Sequence, residues 1–137
     1  MAIPTSKGKK LYRSGLERET GLGLQQRGME FGFETLRLSY IQPETNRHYT
    51  PDFVLANGII IETKGQLDAA DRKKMILIKQ QYPNLDIRFV FSYARAKIYK
   101  GSKTTVAKWA AQNGYMWADK RILLEWTKEP AKELNFK

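Results

Sequence analysis

Residues 49–65 read YTPDFVLANGIIIETKG, with two runs of strand-forming residues on either side of residues 56–58. An Asn-Gly pair between apolar runs is a strong hairpin signal, so the segment predicts two antiparallel strands. Because side chains on a strand alternate between faces, Glu62 and Lys64 are expected to project from the same side of the second strand. Charged side chains on a strand otherwise rich in isoleucine need charged partners or a metal ion.

The length of the turn decides whether Asp52, on the first strand, lies beside Glu62 on the second. A two-residue turn would place Asp52 opposite Thr63, whereas a three-residue turn, residues 56–58, would place it opposite Glu62. Gly58 suits the left-handed position that three-residue hairpin turns use, so the longer turn is predicted. Directly paired residues have Cβ atoms about 5 Å apart, which would let the two carboxylates share one divalent cation.

The three charged side chains, Asp52, Glu62 and Lys64, allow two interpretations. Two carboxylates without a soft ligand nearby suit Mg²⁺ or Mn²⁺, which activates bound water and neutralises the charge that develops on a phosphodiester. Lys64 would then position the attacking water and stabilise the transition state, or act as a general base. The alternative is an ordinary cross-strand salt bridge, which contributes up to about 1 kcal/mol.

The rest of the chain predicts one domain with both helices and strands. Ser14 is followed three residues later by Glu17, a capping box that starts a helix ending before Gly28. Periodicity and turn residues predict strands over 36–40, 49–55, 59–64, 87–91 and 98–99, a polar connector or hinge over 42–46, and helices over 68–82 and 104–113. The expected fold is α/β (α+β), a mixed β-sheet flanked by helices over residues 13–137, preceded by a flexible basic arm at residues 1–12. The three tryptophans, Trp109, Trp117 and Trp126, are expected to pack in the core.

The charge balance indicates a polyanion as partner. The sequence has 24 Lys and Arg against 14 Asp and Glu, a formal net charge of +10. Lysine and arginine that contact phosphates release condensed counterions, which gives affinity for DNA without base specificity. The basic residues predicted to contact DNA, with ordinary surface charge as the alternative, are Lys7, Lys9, Lys10, Arg13, Arg72, Lys73, Lys74, Arg95, Lys97 and Lys100.

The composition also excludes several classes of protein. There are no cysteines, so neither disulfides nor a thiolate zinc site can form. No apolar run approaches the roughly 18 residues of a membrane helix, and the basic N-terminal residues precede no apolar stretch. We therefore expect a soluble, cytoplasmic protein without a membrane partner.

The sequence resembles the phage endonuclease I family of Holliday-junction resolvases, within the PD-(D/E)xK nuclease superfamily. Pro51 before Asp52 and Gly65 after Lys64 fit the superfamily pattern. The family resemblance covers nearly the whole chain from Arg13 onward. It rests on residues 13–17 (RSGLE), 49–53 (YTPDF), 57–58 (NG), 62–65 (ETKG), 71–74 (DRKK), 85–88 (LDIR), 99–102 (YKGS), 118–120 (ADK), 125–126 (EW) and 128–130 (KEP).

This resemblance implies cleavage of branched DNA, especially four-way junctions, by paired nicks in a restriction-endonuclease-like core. Asp52, Glu62 and the backbone carbonyl of Thr63 would hold Mg²⁺, with Mn²⁺ as a substitute, and Lys64 would be the catalytic lysine. Glu17 would complete the site at a second metal position, giving two ions per active site. Taken alone, Glu17 is explained by the capping box, and one carboxylate cannot fully serve both roles.

The resemblance further implies a strand-swapped homodimer with residues 40–49 as the crossing or hinge segment. Glu17 of one chain would then meet Asp52, Glu62 and Lys64 of the other in a composite active site. Two other functions stay open on the residues alone. One is a restriction-type or repair endonuclease that acts on linear duplex, and the other is a basic DNA-binding protein without catalytic activity.

Overall fold

The computed structural model of the protein describes residues 12–42 and 45–137. Within them the helices are α1 (Gly15–Gln26), α2 (Ala69–Gln81), α3 (Val106–Gln112) and α4 (Leu124–Thr127), and the strands are β1 (Phe31–Phe33), β2 (Leu38–Gln42), β3 (Thr45–Tyr49), β4 (Phe53–Leu55), β5 (Ile60–Lys64), β6 (Ile87–Phe91) and β7 (Met116–Asp119). Lys7, Lys9 and Lys10 of the predicted arm lie outside the described residues. No helix in the described part of the chain is long and apolar enough to cross a membrane.

Five strands form a mixed sheet in the order β1-β4-β5-β6-β7, and β2 pairs with β3 in a separate two-stranded ribbon. The β1–β4 and β4–β5 pairs are antiparallel, whereas the β5–β6 and β6–β7 pairs are parallel. Since parallel neighbours need a crossover connection, α2 joins β5 to β6 and α3 joins β6 to β7. The carboxyl ends of these three strands therefore meet at one edge. The predicted mixed sheet flanked by helices is confirmed.

The central strand, β5, separates two hydrophobic cores. Ile60 packs in the core that includes residues of α2 and α3, and Ile61 packs in the core that includes residues of α1, β1 and α4. Both side chains are fully buried, and Glu62 is buried directly after them. The strand thus carries an ionisable side chain into the interior, where charge is costly without a partner.

The turn between β4 and β5 has the predicted length. Phe53 lies opposite Ile61, and the Leu55 N–H donates to the Ile59 carbonyl at 2.8 Å. Gly58 has a φ of +89°, in the left-handed region that favours glycine. The register of the three-residue turn is therefore confirmed.

The first helix begins at the predicted cap, where the Ser14 hydroxyl accepts the Glu17 N–H at 3.0 Å. Near its middle, Gly21 lets the ring of Tyr12 approach the helix backbone closely. That ring, at the end of the predicted arm, packs edge-on against Phe33 with centroids 4.5 Å apart. An ideal Cβ on Gly21 would lie 2.2 Å from the Tyr12 hydroxyl oxygen.

Gly21 and Gly23 of α1 are expected to respond oppositely to alanine. Gly21→Ala would force Tyr12 out of its contacts, and overpacking of this kind lowers the free energy of unfolding by about 1 to 3 kcal/mol. A Cβ on Gly23 would meet nothing within 4 Å, so Gly23→Ala should raise the free energy of unfolding by up to about 1 kcal/mol. Urea unfolding of the two variants measures both changes in the free energy of unfolding. Equal effects at the two positions would contradict this packing.

Several predicted elements differ from those observed. The strand predicted over 49–55 is two strands, β3 and β4, because Pro51 lacks an N–H and interrupts the ladder. The strand predicted over 98–99 is wrong, since the described residues there form only an isolated bridge between Lys97 and Thr105. Three observed elements, β1, β7 and α4, were not predicted from the sequence. Of the predicted connector over 42–46, Gln42 belongs to β2 and residues 45–46 belong to β3.

Two of the three tryptophans pack as predicted. Trp109 and Trp126 are buried, but Trp117 is 39% exposed, so its predicted core position is wrong. The physical reason is the position of β7 at the sheet edge, where the buried residue is Ala118.

The segment predicted to cross between subunits forms most of the two-stranded ribbon in this chain. Tyr40 of β2 lies opposite Arg47 of β3. The end of α2 holds the ribbon by its side chains, because the Tyr82 hydroxyl donates to the Ser39 carbonyl and Gln81 bonds the backbone of β2. Residues 43–44, between the two strands, lie outside the described residues.

Candidate active site

Asp52 and Glu62 lie side by side in the interior. Asp52 directly precedes β4, and the β4–β5 register, continued by one residue, places it beside Glu62. Both side chains are buried, with 8% and 5% of their surface exposed. The charge of Asp52 contributes to a raised pKa of Glu62, as expected of neighbouring carboxylates. The fold thus places together the two carboxylates that the sequence predicted as a pair.

The carboxylate of Asp52 is held by Thr63, the residue that follows Glu62 in β5. Its Oδ2 accepts the Thr63 N–H at 2.9 Å and the Thr63 hydroxyl at 2.7 Å. Burial raises the pKa of Asp52, and the hydrogen bonds from Thr63 oppose that shift without reversing it. Thr63 therefore fixes one oxygen of Asp52 and leaves Oδ1 outside these two hydrogen bonds.

Glu62 is engaged through both of its oxygens. Its Oε1 accepts a hydrogen bond from the Tyr49 hydroxyl at 2.8 Å, and its Oε2 lies 3.6 Å from the Lys64 ammonium. Burial and the charge of Asp52 raise the pKa of Glu62 to about 7, although Lys64 and Tyr49 favour the charged form. A carboxylate with this pKa is an unfavourable charge in the metal-free protein, and a bound cation would relieve it.

Lys64 is held between two carboxylates. Its Nζ lies 3.6 Å from Glu62 Oε2 and 3.4 Å from Asp71 Oδ1. Burial alone would lower the pKa of Lys64, but the charges of Glu62 and Asp71 outweigh it and raise the pKa. Two carboxylates therefore restrain the Lys64 ammonium beside the buried acids.

The charge of Glu17 contributes to the raised pKa of Asp52 within the same chain, but among the described residues Glu17 forms no three-carboxylate metal cluster with Asp52 and Glu62. Its Oε1 accepts the Arg13 N–H at 2.9 Å, while the Arg13 guanidinium pairs with the carboxylate of Glu34. The Glu34 N–H in turn donates to the Asp52 carbonyl at 2.9 Å. Arg13, predicted to contact DNA, thus links the start of α1 to the strand that carries Asp52.

The donors present fit a hard divalent cation. Asp52 and Glu62 offer carboxylate oxygens, and Mg²⁺ is commonly bound by one or two carboxylates together with water and substrate phosphate. Among residues 12–42 and 45–137, no cluster of three or more His, Cys, Asp or Glu side chains could hold a metal ion. The described residues of one chain therefore supply two neighbouring carboxylates and no third side chain of these types to complete a metal site.

The basic residues predicted to contact DNA differ in how they are engaged. Arg72 donates to the carbonyls of Leu67 at 2.7 Å and Ile98 at 3.0 Å, so it joins α2 to a neighbouring loop. Lys74 has its Nζ 5.5 Å from the ring centroid of Tyr49. Among the members of the set that the structure describes, the exposed ones beside Arg13 are Lys73, Arg95, Lys97 and Lys100.

Two residues that touch the site were not identified from the sequence as part of it. Tyr49 donates to Glu62, and Asp71 pairs with Lys64. Asp71 follows the helix cap Asp68 by three residues and completes a capping box, so its pattern indicates a cap and not a partner for β5. Tyr49 is the first residue of the 49–53 motif, but its contact with Glu62 depends on the turn of the chain between β3 and β4.

Comparison with known proteins identifies the family of the chain. The family model described as Phage endonuclease I matches residues 1–137. Endodeoxyribonuclease 1 of Enterobacteria phage T3 is 50% identical over 125 residues, covering 91% of this chain and 82% of the relative. Endonuclease I of Escherichia phage T7 is 48% identical over 125 residues, covering 91% of this chain and 84% of the relative. The chain therefore belongs to the phage endonuclease I family.

Proposed function

We propose that this protein is a metal-dependent, structure-selective DNA endonuclease. It resolves four-way (Holliday) junctions and other branched DNA in the cytoplasm of the infected cell. The observation that carries the proposal is the buried pair of Asp52 and Glu62 beside the cationic Lys64. The net charge of +10 supports a polyanionic substrate, and the T3 and T7 relatives are named as endonucleases.

Asp52, Glu62 and the carbonyl of Thr63 would hold Mg²⁺, with Mn²⁺ as a substitute, and Glu17 would contribute to a second ion. Bound divalent ions supply activated water and neutralise the charge on the phosphodiester. The raised pKa of Glu62 and Asp52 in the metal-free protein supports this assignment, because a cation favours their ionised forms.

The chain's own side chains prepare the site for phosphodiester hydrolysis. Thr63 fixes the orientation of Asp52 by two hydrogen bonds. Lys64, restrained by Glu62 and Asp71, presents a fixed positive charge to a phosphoryl oxygen and stabilises the charge that grows in the transition state.

The proposal includes a homodimer with composite active sites, in which residues 40–49 cross between subunits. The ribbon is one candidate point of exchange, since the chain reverses between β2 and β3. Opening that reversal would carry α1 and Glu17 to the Asp52 of a partner while keeping the same contacts. Two sites related by a two-fold axis suit a four-way junction. Native mass spectrometry tests this: a dimeric mass is expected, and a monomer at micromolar concentration would exclude composite sites.

Cleavage of a synthetic four-way junction beside a linear duplex of equal length tests the substrate class. In Mg²⁺ we expect nicks in the junction at a much higher rate than in the duplex. Equal rates on both would favour a restriction-type or repair nuclease. Binding with steep salt dependence but without cleavage in Mg²⁺ or Mn²⁺ would leave a DNA-binding protein whose carboxylates are structural.

A further inference from the structure

Tyr49 belongs to the ribbon by its backbone and to the active site by its side chain. It is the last residue of β3 and pairs with Leu38 of β2. Its side chain is 3% exposed, and its hydroxyl donates to Glu62 Oε1 at 2.8 Å. A phenol with an ordinary pKa near 10 keeps its proton at neutral pH, so Tyr49 is a permanent donor to this carboxylate.

This hydrogen bond restricts Glu62 more strongly than its ion pair does. Glutamate has three rotatable side-chain bonds, and a carboxylate meant to meet a metal must be held in one orientation. The Lys64 ammonium, at 3.6 Å from Oε2, lies beyond good hydrogen-bond distance. The Tyr49 hydroxyl therefore fixes Oε1 and leaves Oε2 directed toward Lys64.

The ring of Tyr49 is itself held in place. It belongs to the hydrophobic core that includes Met75 and Ile78 of α2. The Nζ of Lys74, on the same helix, lies 5.5 Å from the ring centroid, close enough for a cation–π interaction. Because α2 also contacts β2, the position of the hydroxyl is set jointly by the ribbon and by α2.

We propose that Tyr49 is a positioning residue, which orients the Glu62 carboxylate for the divalent cation. The geometry of the catalytic site then depends on the position of the two-stranded ribbon relative to α2. The proposal rests on the metal-dependent nuclease function proposed above. It assigns to β3 a role in catalysis in addition to a role in connecting the two parts of the chain. Residues that orient metal ligands in this way typically change metal affinity or activity by about 10- to 100-fold when their hydrogen bond is removed.

Tyr49→Phe tests the proposal because it removes the hydroxyl and keeps the ring. We expect kcat for junction cleavage to fall by roughly 10- to 100-fold, with an unchanged KM for the junction. The dissociation constant for Mn²⁺, measured without DNA by electron paramagnetic resonance, should rise by a similar factor. The ring remains in the core, so the variant should unfold at a urea concentration only slightly below that of the wild type.

The matched control is Tyr115→Phe. Tyr115 is also buried, and its hydroxyl donates to the backbone carbonyl of Met75. The variant loses a buried hydrogen bond from a tyrosine hydroxyl, here to a backbone carbonyl, and leaves the hydrogen bond to Glu62 in place. It should match Tyr49→Phe in the shift of the urea midpoint and keep the wild-type kcat and Mn²⁺ affinity.

The outcomes separate the positioning role from the proposed function. Wild-type kcat and Mn²⁺ affinity in Tyr49→Phe would overturn the positioning role, as would equal losses in Tyr49→Phe and Tyr115→Phe. If the wild-type protein binds Mn²⁺ but cleaves no branched DNA, the proposed function fails, and the Mn²⁺ comparison still decides the role of Tyr49. Absence of Mn²⁺ binding to the wild type would overturn both.

Discussion

Glu62→Gln is expected to lower the single-turnover rate of junction cleavage by roughly 10³-fold in saturating Mg²⁺. A metal ion contributes several kcal/mol of charge stabilisation in the transition state, and each 1.36 kcal/mol corresponds to a factor of ten in rate. The amide retains the size of the side chain and cannot carry the negative charge that a hard cation needs. Quenched-flow cleavage of a labelled four-way junction measures the effect.

The amide should not disturb the fold, because Glu62 is an unfavourable buried charge whose pKa burial raises to about 7. Affinity for the junction, measured in Ca²⁺, should stay within a few-fold of wild type, since the phosphate contacts are predicted to come from exposed basic residues and not from Glu62. Glu133→Gln, at an exposed acid in the C-terminal segment, is the control and should cleave at the wild-type rate. A Glu62→Gln protein with more than a tenth of wild-type activity would contradict the assignment of Glu62 as a metal ligand.

Arg88→Ala is expected to give the largest loss of stability, about 3 kcal/mol or more in free energy of unfolding. Arg88 on β6 is 3% exposed and pairs with Asp86 at 2.7 Å and with Glu129 at 2.6 Å. Its guanidinium also lies 5.1 Å from the ring centroid of Trp126. Asp86 and Glu129 are 23% and 31% exposed and keep Lys132 as a cationic partner, so we expect the lower end of the roughly 3 to 5 kcal/mol that breaking a buried ion pair costs. Urea unfolding measures this loss.

Lys132→Ala is the matched comparison for Arg88→Ala. Lys132 also pairs with Asp86, and its side chain is 38% exposed, so an effect below about 1 kcal/mol is expected. Equal losses in the two variants would show that the burial of Arg88 contributes nothing beyond a surface ion pair.

The stabilising effect of Arg88 should depend on pH in the acid range. Hydrogen bonds from Arg88 lower the pKa of Glu129. Burial acts to raise the pKa of Asp86, but hydrogen bonds from Arg88 and Lys132 outweigh it and lower the pKa. Acids with lowered folded-state pKa values stabilise the fold above their unfolded values, here 3.8 and 4.5, and lose that effect as pH falls through the folded values. The difference between wild type and Arg88→Ala should therefore shrink below about pH 4.

The parts of the fold that could be predicted are those fixed by local chemistry. The turn at residues 56–58 has a glycine where a left-handed residue is required, so the sequence determines the register that pairs Asp52 with Glu62. The start of α2 follows from the cap at Asp68, and the start of α1 from Ser14. Each of these signals lies within four residues of the feature that it sets.

The parts that could not be predicted depend on contacts between distant segments. Tyr49 reaches Glu62, 13 residues away, only because the chain breaks at Pro51 and turns between β3 and β4. In the sequence, nothing distinguishes Arg88 from other basic residues on predicted strands. Its pairing with Glu129, 41 residues later, requires the C-terminal segment to return to β6. Such pairings are set by topology and burial, which local patterns do not encode.

The exposure of Trp117, at the sheet edge, also depends on how distant elements pack and could not be predicted from local patterns. A tryptophan between apolar neighbours favours a buried position by composition. Whether it is buried depends on the presence of a covering layer, and β7 is the last strand of the sheet. The helix that follows, α4, buries Trp126 and leaves Trp117 39% exposed.

The most direct test of the central claim is a crystal of the protein soaked in Mn²⁺, with anomalous diffraction recorded at the manganese absorption edge. The claim is that Asp52 and Glu62 hold a divalent cation beside Lys64. We expect an anomalous peak roughly 2.0 to 2.5 Å from oxygens of both carboxylates, and its loss in the Glu62→Gln protein. Manganese peaks elsewhere, with none between Asp52 and Glu62 in the wild type, would contradict the claim.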